Sequence, residues 1–215
     1  MNDLIIRDIK ENDLYVIKSF IVEAWGEGWN FSSFDQDTDM FQALLETYLS
    51  MFLNSSTFAK VAVAESKVVG AVLCSANGDV ETFRHLQKDR ILHTLSLLCA
   101  SETVRKDIVE HLSTSFQTIG QLLGNRVDNY DGSVEFIAVA KQAQGLKIGK
   151  TLWDEAVNYF KSQNAKSIYL IADSQCNTGF YDSNGFSKVA TKEAVYNYTA
   201  EQKKFDIYLY SYDFQ

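Results

Sequence analysis

Seven residues near the middle of the chain, GLKIGKT at 145–151, have the composition of a loop that binds an anion. They follow an apolar, strand-like run at 134–140 and precede a helix-like run at 152–160. A loop in this position directs free backbone N–H groups and the positive end of a helix dipole toward one point. Gly145 and Gly149 permit close approach and unusual dihedral angles. The pattern therefore indicates a phosphate site, although an ordinary strand-to-helix turn has a similar composition.

The ending Gly-Lys-Thr is similar to the phosphate loop of nucleotide hydrolases, but the spacing argues against that chemistry. The hydrolase loop has four residues between its glycines, whereas Gly145 and Gly149 enclose three. Loss of one residue redirects the amides that surround a β-phosphate. Too few residues follow Thr151 to supply the rest of a doubly wound sheet. A different anion, or no anion, is expected here.

Apolar periodicity divides the chain into strands and helices. The predicted strands are 4–10, 59–65, 68–75, 134–140, 167–173, 186–198 and 205–214, with a hairpin turn at Ser66-Lys67. The predicted helices are 14–25, 40–53, 85–98, 101–123 and 152–160, with a short turn or helix at 177–185. Without the helical residues 77–130, the element order is β-α-α-β-β-β-α-β-α-β-β.

The longest predicted helix lies inside 77–130 and has Ser101 as its expected N-cap. Its apolar residues recur at three- and four-residue steps and should share one face. These residues are Val104, Ile108, Leu112, Phe116, Ile119 and Leu123.

Composition limits the class of partner. Twenty Lys and Arg against 28 Asp and Glu give a net charge of −8, which argues against a nucleic-acid or anionic membrane partner. The charge suits a cationic small substrate, although acidity more often serves solubility. MNDLIIRDIKEND turns polar too early for a signal peptide, and no apolar run reaches membrane-span length, so a cytoplasmic location is expected. The cysteine and histidine spacings predict no metal site.

Two segments together resemble the signatures of the GNAT acetyltransferase superfamily. AVAKQAQGLKIGKTL at 138–152 is similar to its acyl-CoA signature, Q/R-x-x-G-x-G/A, with Gln144, Lys147 and Gly149 at the defined positions. CNTGFYDSNGF at 176–186 is similar to its second signature, with Tyr181 four residues before Gly185-Phe186. The resemblance covers nearly the whole chain except 77–130.

The chain departs from the family pattern at two positions. Lys147 replaces the first motif glycine, which preserves the anion cradle if the backbone there does not require a positive φ. A lysine there can also add positive charge near a phosphate. The helix asparagine of the family falls at Ser174, so Asn177 either takes its role or caps the short helix.

The resemblance implies a single domain, 1–215, with an α/β (α+β) fold: a mixed, mostly antiparallel central sheet flanked by helices, with the helical insertion 77–130 before the fourth strand. It implies acetyl-CoA as acyl donor, no metal, and direct transfer to a primary amine of a small molecule or peptide through a tetrahedral intermediate. The implied donor-binding residues are Ile137, Ala138, Val139, Gln144, Gly145, Lys147, Ile148, Gly149, Lys150 and Asn177.

The implied chemistry makes three demands. The carbonyl oxygen needs a donor, which the family supplies as the main-chain N–H near Val139. The leaving thiolate needs a proton, and because free thiols have a pKa near 8.5 and phenols near 10, Tyr181 is the expected general acid. The amine must lose a proton, and Glu135, the charged residue in the apolar strand VEFIAV, is the expected base. Asp173 is the weaker candidate, and a water chain stays open.

The acceptor is the least constrained part of the prediction. Trp25, Glu27, Trp29, Phe31 and Asp35 either form an aromatic-acidic pocket for a cation or hold a loop to the core. The insertion either covers the site, forms a dimer surface or widens the fold. A non-catalytic acyl-CoA sensor or interaction protein on the same fold is the alternative function.

Overall fold

The computed structural model describes residues 4–25, 38–86 and 101–214, without the side chains of residues 38–40 and 84. A mixed sheet of seven strands forms in the order β1-β2-β3-β4-β5-β7-β6. β4 and β5 run parallel, and the other neighbours run antiparallel. The strands are β1 Ile5–Asp8, β2 Phe58–Ala64, β3 Lys67–Ala76, β4 Gly132–Val139, β5 Ser167–Asp173, β6 Ser187–Asn197 and β7 Gln202–Asp213. The expected mixed, mostly antiparallel fold is confirmed.

Helices cover both faces of this sheet. They are α1 Leu14–Trp25, α2 Thr38–Ser55, α3 Glu102–Leu123, α4 Ile148–Ser162 and α5 Thr178–Ser183. None of the described helices is both long and apolar enough to cross a membrane.

Two residues of β3 show which helices cover which face. A Cβ on Gly70 would lie 3.0 Å from the Leu152 side chain of α4. Leu73 pairs with Phe136 of β4, whose ring stacks on Phe52 of α2 at 5.3 Å. Because Gly70 and Leu73 are three residues apart on one strand, they point to opposite faces. We call these the α4 face and the α1–α2 face.

Several predicted boundaries are wrong by one to four residues, and two of them lie at turns that lead into β3 and α4. The β2–β3 turn uses Glu65 and Ser66, at φ 50° and 63°, and Lys67 already belongs to β3. The turn is therefore one residue earlier than the expected Ser66-Lys67. α4 begins at Ile148, before the predicted start at 152, so part of the supposed loop is the first helical turn. Most of the predicted helix 85–98 lies outside the described residues.

The long helix predicted within 77–130 is present as α3, and Ser101 caps it by accepting a hydrogen bond from the Val104 N–H at 3.4 Å. Its buried face is more polar than predicted: Phe116 is 50% exposed, whereas Asp107, His111 and Thr118 are buried. The reason is the surface on which α3 packs. It lies against β6 and β7, whose connecting turn offers main-chain N–H groups rather than an apolar surface.

Two carboxylates attach α3 to this β6–β7 turn. Asp107 Oδ1 accepts hydrogen bonds from the N–H and the hydroxyl of Thr199, each at 2.7 Å. Glu110 Oε1 accepts from the N–H of Asn197 at 2.8 Å. Hydrogen bonds to charged acceptors are stronger than those between neutral groups, so these contacts hold α3 at the β6–β7 turn.

The middle of the sheet is irregular at β4. Leu73 pairs with Phe136 and Cys74 pairs with Val134, so Glu135 is an extra residue opposite no residue of β3. Such a β-bulge bends the strand and redirects a side chain. On the other edge, the parallel pairing of β4 with β5 ends at Val134 and Leu170. Residues 135–139 of β4 and 171–173 of β5 therefore border an unpaired segment, which we call the β4–β5 gap.

Candidate active site

The end of β4 directs main-chain groups into the β4–β5 gap. The Ala140 N–H donates to the Val69 carbonyl at 2.9 Å, on the β3 side. Successive residues of an antiparallel strand alternate between facing the partner and facing away, so Ile137 and Val139 face away from β3. The Gln144 side-chain amide donates to the Val139 carbonyl at 3.3 Å, in agreement with that direction. The N–H groups of Ile137 and Val139 thus point toward β5, while Ala138 faces β3.

A short loop joins β4 to α4 and is tied to α1. Residues Lys141–Ala143 form a 3-10 turn, and Gln144 is extended. The Lys141 N–H donates to Glu23 Oε2 at 2.9 Å, which connects the loop to the last part of α1. The sequence analysis did not identify Glu23, because nothing in the spacing relates it to a loop 118 residues away. This contact sets the direction in which the chain leaves the gap.

The loop enters α4 through two residues with positive φ. Gly145 has φ 80°, and a Cβ there would meet nothing within 4 Å. Lys147 has φ 61° and ψ 11°, the left-handed conformation. A lysine at position 147 was expected to preserve the anion-binding backbone if no positive φ was needed there. The observed φ is positive, so that condition is not met. Lysine adopts the conformation at a cost of about 1 kcal/mol or slightly more, while its backbone N–H is retained.

The first turn of α4 lies against α5. A Cβ on Gly149 would lie 3.1 Å from Cε2 of Phe180 and 3.6 Å from Val139. The glycine therefore lets the Phe180 ring approach the end of β4. Ile148 is buried beneath the turn, and Lys150 pairs with Asp154 one turn later. The first N–H groups of α4 have no intrahelical acceptor, as a site for an anion requires.

Tyr181 follows Phe180 on α5 and lies among aromatic rings. Its ring centroid is 5.3 Å from that of Tyr210 and 5.8 Å from that of Phe186. Within the described residues its hydroxyl has no hydrogen-bond partner. Burial raises the pKa of Tyr181 well above its usual value, and the nearby Cys176 and Asp173 raise it further. The phenol therefore stays protonated at neutral pH.

Asp173 ends β5 at the same position in the sheet. Its Oδ1 accepts hydrogen bonds from the N–H groups of Gln175, at 2.9 Å, and Cys176, at 3.2 Å. Burial nevertheless raises the pKa of Asp173, because these donors compensate its charge only in part. No Lys or Arg of the described ranges pairs with it. Among the described residues, Asp173 is therefore a carboxylate without a counter-ion, and its charge acts on Tyr181.

Glu135 is the bulged residue of β4. The Ser133 hydroxyl donates to Glu135 Oε1, and burial raises the pKa of Glu135 above its usual value. Ser133 pairs with Tyr169 of β5, and Tyr169 shares a face of β5 with Asp173. Glu135 is thus on the face that carries Asp173. Of the two carboxylates, however, only Asp173 acts on the pKa of Tyr181.

The expected acceptor residues are covered only in part. Trp25 is described: its ring lies 6.1 Å from Phe52 and 6.2 Å from Phe136, and it interacts with Asp173. Glu27, Trp29, Phe31 and Asp35 lie outside the described residues. Asn177 precedes α5 without a side-chain capping hydrogen bond, so the capping alternative is not supported. No group of metal-ligating side chains occurs in the part of the chain that the structure describes.

The sequence also missed a cluster on the α1–α2 side of Asp173. His111 of α3, Tyr48 of α2, and Tyr196 and Tyr198 at the end of β6 lie together. No local motif joins them, because they are brought together by three separate elements.

The comparisons with known proteins agree with this geometry. The sequence matches the family model of the acetyltransferase (GNAT) family over residues 14–186. A comparison with curated proteins finds no match.

Solved structures share the fold at low sequence identity. The polyamine N-acetyltransferase of Drosophila melanogaster, an enzyme that catalyses formation of N-acetylagmatine, has a TM-score of 0.56 and 12% identity, covering 99% of this chain and 100% of its own. The ribosomal-protein-S18-alanine N-acetyltransferase of Escherichia coli has a TM-score of 0.55 and 10% identity, covering 98% of this chain and 94% of its own. The PaiA N-acetyltransferase of Thermoplasma acidophilum, in complex with coenzyme A, has a TM-score of 0.53 and 14% identity, covering 99% of this chain and 99% of its own.

Proposed function

Because the chain belongs to the acetyltransferase (GNAT) family, we propose that it transfers the acetyl group of acetyl-CoA to a primary amine of a small molecule or a peptide. The observation that carries this proposal is the β4–β5 gap. Parallel pairing ends at Val134, and the N–H groups of Ile137 and Val139 then face a space that no described strand fills.

The residues present fit acetyl-CoA as the acyl-donor substrate. Its pantetheine arm carries amides that can pair with the free edge of β4, as an added strand would. Its diphosphate suits the N–H groups at the start of α4. Gly145, at φ 80° with open space around its Cα, leaves room for a phosphate there. Because Gly149 has no side chain, the ring of Phe180 can lie next to the start of α4, near Val139 at the border of the gap.

The transfer needs one bond to form and one to break. The amine nitrogen attacks the thioester carbonyl carbon, and the oxygen charge that develops is stabilised by the N–H of Val139. The tetrahedral intermediate then expels the thiolate as the C–S bond breaks. The ammonium proton goes to a carboxylate of the site, and Tyr181 gives its proton to the thiolate. After the products leave, the phenol recovers its proton from solvent and the carboxylic acid releases its proton to solvent.

The buried position of Tyr181 raises a question, because a phenol with a raised pKa is a weaker acid. Cys176 answers it: burial, with the charge of Asp173, raises the pKa of this neighbouring thiol to about 12. A leaving thiolate in the same surroundings becomes a correspondingly stronger base. Burial thus weakens the phenol as an acid and strengthens the thiolate as a base, and the two effects on the proton transfer oppose each other.

Two carboxylates, Glu135 and Asp173, are proposed as the proton acceptor. Burial raises the pKa of both toward neutrality, which suits a general base. Glu135 was the expected base. The interaction of Asp173 with Tyr181 favours Asp173, and separate variants decide between them.

The acceptor class is supported by the relatives. The Drosophila melanogaster enzyme is a polyamine N-acetyltransferase, and the Escherichia coli enzyme is an alanine N-acetyltransferase. Both are reactions on a primary amine. We extend to this chain only that common chemistry.

Calorimetric titration with acetyl-CoA, followed by measurement of amine-dependent CoA release, tests the proposal. Gly145→Val forces a branched side chain to φ 80° and should weaken acetyl-CoA binding by about tenfold or more. Gly78→Val is the matched control, because Gly78 has φ 90° with equally open surroundings but lies in the turn after β3. Absence of acetyl-CoA binding to the wild-type protein, or equal weakening by both variants, would contradict the proposed donor site.

A further inference from the structure

A buried histidine joins three elements next to Asp173. Nε2 of His111 lies 2.6 Å from the Tyr48 hydroxyl of α2, and Nδ1 lies 2.7 Å from the Tyr198 hydroxyl. The imidazole is 5% exposed and stacks on Tyr196 with a centroid distance of 5.2 Å. A neutral imidazole has one donor and one acceptor nitrogen, so it can donate a hydrogen bond to one tyrosine hydroxyl and accept one from the other. We call His111, Tyr48, Tyr196 and Tyr198 the His111 cluster.

The cluster depends on the inserted helix. α3 is held at the β6–β7 turn by Asp107 and Glu110. From there it extends His111 toward α2, and Ser115, one turn later, lies 3.1 Å from the Tyr196 hydroxyl. Tyr48 in turn contacts Phe52 at 6.2 Å, and Phe52 contacts Trp25. A continuous row of rings therefore runs from α3 through α2 to α1, along the α1–α2 face.

This row borders the carboxylate of Asp173. Burial is the main reason that the pKa values of Tyr48 and Tyr196 are raised, and the Asp173 charge contributes to each. The same charge acts on Tyr181. The strand register supports this: Asp173 pairs with Ile207 of β7, which pairs with Lys192 of β6, and Tyr196 is four residues after Lys192, so Asp173 and Tyr196 share a face of the sheet. Trp25 also interacts with Asp173.

We propose that the His111 cluster forms one wall of the acceptor site, that His111 is its positioning residue, and that the wall and Asp173 together bind the acceptor as a cationic amine. The proposal rests on the proposed function, since it identifies the acceptor side of that reaction. It gives the insertion a role: α3 contributes to the site instead of only widening the fold.

The chemistry of the wall favours a cation. Asp173 carries a negative charge with no described counter-ion, and the tyrosine and tryptophan rings beside it attract an ammonium group through their π faces. Burial lowers the pKa of His111 to about 4, so the imidazole adds no positive charge that would repel the substrate. An amine with a carboxylate of its own would meet repulsion from Asp173.

The test compares variants of His111 in the full chain. His111→Leu removes both hydrogen bonds and should raise the KM for the amine by about tenfold or more, because Tyr48 and Tyr198 lose their fixed orientation. The KM for acetyl-CoA should stay unchanged. His111→Gln, whose amide can donate to one tyrosine and accept from the other, should recover most of the loss. Thr118→Val is the matched control, a buried polar residue of the same helix outside the cluster.

The amine class is tested with three probes of similar length: n-butylamine, putrescine and γ-aminobutyrate. kcat/KM should be lowest for γ-aminobutyrate by about tenfold or more. Binding of putrescine to the CoA-saturated protein, measured by calorimetry, gives the same comparison without turnover. His111→Leu should weaken that binding as well.

Four results would overturn the inference. The first is a His111→Leu protein that folds and keeps the wild-type KM for amines. The second is an equal rise in the KM for both substrates, or an equal effect of Thr118→Val, since either indicates a general structural effect. The third is a preference for γ-aminobutyrate. A wild-type protein that binds CoA but neither binds nor acetylates these amines also contradicts the inference, whereas failure to bind acetyl-CoA contradicts the proposed function itself.

Discussion

The proposed donor side and the proposed acceptor side of the β4–β5 gap are built in different ways. The donor side consists of consecutive residues, 137–149, and uses main-chain N–H groups, glycines and the start of α4. The acceptor side uses side chains from distant parts of the chain: His111 reaches Tyr48 across 63 residues and Tyr198 across 87. A site made of backbone has a local sequence signature, and a site made of distant side chains has none.

The difference extends to energetics. Donor-side geometry depends on where the backbone can tolerate a Cβ. Substitutions that add only a few atoms to a glycine there should therefore have a large effect on acetyl-CoA binding. The acceptor side depends on buried polar groups that satisfy one another. Removal of one such group leaves the others unpaired, at a cost of about 1–3 kcal/mol each.

Tyr181→Phe should separate the two sides most clearly. Loss of the hydroxyl should lower kcat by about a hundredfold or more, the usual range for a general acid. The acetyl-CoA dissociation constant should change little, because the backbone contacts of the donor side remain. Steady-state kinetics with calorimetry checks this, and Tyr212→Phe is the control, an aromatic ring packed on Trp153. An unchanged kcat would remove Tyr181 from the mechanism.

Asp173→Asn and Glu135→Gln should identify the base. The variant that removes the base should lower kcat by about a hundredfold and abolish the acidic limb of the pH–rate profile; the other should not. Since burial raises both folded-state pKa values, each carboxyl stabilises the fold below its unfolded pKa and loses that contribution as pH rises through its folded pKa. Both variants should therefore raise the melting temperature at pH 7. Equal kinetic loss in both would indicate a shared proton.

Acid should affect the acceptor side first. The pKa of His111 is lowered from 6.5 to about 4, so its contribution to stability is complete above pH 6.5 and decreases as the pH falls toward 4. The loss reaches about 3 kcal/mol. Thermal unfolding between pH 4 and 7 measures it, and His111→Gln should flatten the curve. A curve of the same slope in that variant would assign the acid sensitivity to another group.

Gly149→Ala tests how closely the donor side is packed. The added Cβ would lie 3.1 Å from Phe180, so the ring must shift, at a cost of about 1–3 kcal/mol, and acetyl-CoA binding should weaken. Gly120→Ala is the matched control within α3, where a Cβ meets nothing within 4 Å. It should gain up to about 1 kcal/mol from helix propensity. Denaturant unfolding compares the two; stabilisation by both would show that Phe180 adjusts freely.

The smallest effect concerns Lys147. Its left-handed φ of 61° is unfavourable for lysine, so Lys147→Gly should stabilise the protein by about 1 kcal/mol. Lys150→Gly, the same substitution inside the first turn of α4, should destabilise it by a similar amount. Denaturant midpoints measure both, and a loss of stability at both positions would contradict the left-handed geometry.

Much of the fold was predictable because its causes are local. Alternation identified the strands, and the apolar run at 152–160 identified helix α4. The prediction for α3 was weaker: Phe116 looked like a core residue but is exposed, because α3 packs on a polar turn that the sequence does not locate. The left-handed Lys147 was missed since φ depends on how the loop meets α4.

The sequence by itself determined the family, the element order and the position of the loop between β4 and α4, because these follow from periodicity and from motifs of neighbouring residues. Only the tertiary structure decided which side chains face the gap. The bulge at Glu135, the end of pairing after Val134 and the meeting of His111 with Tyr48 and Tyr198 arise from strand register and from helix packing. These are properties of contacts between distant segments, and no window of the sequence contains them.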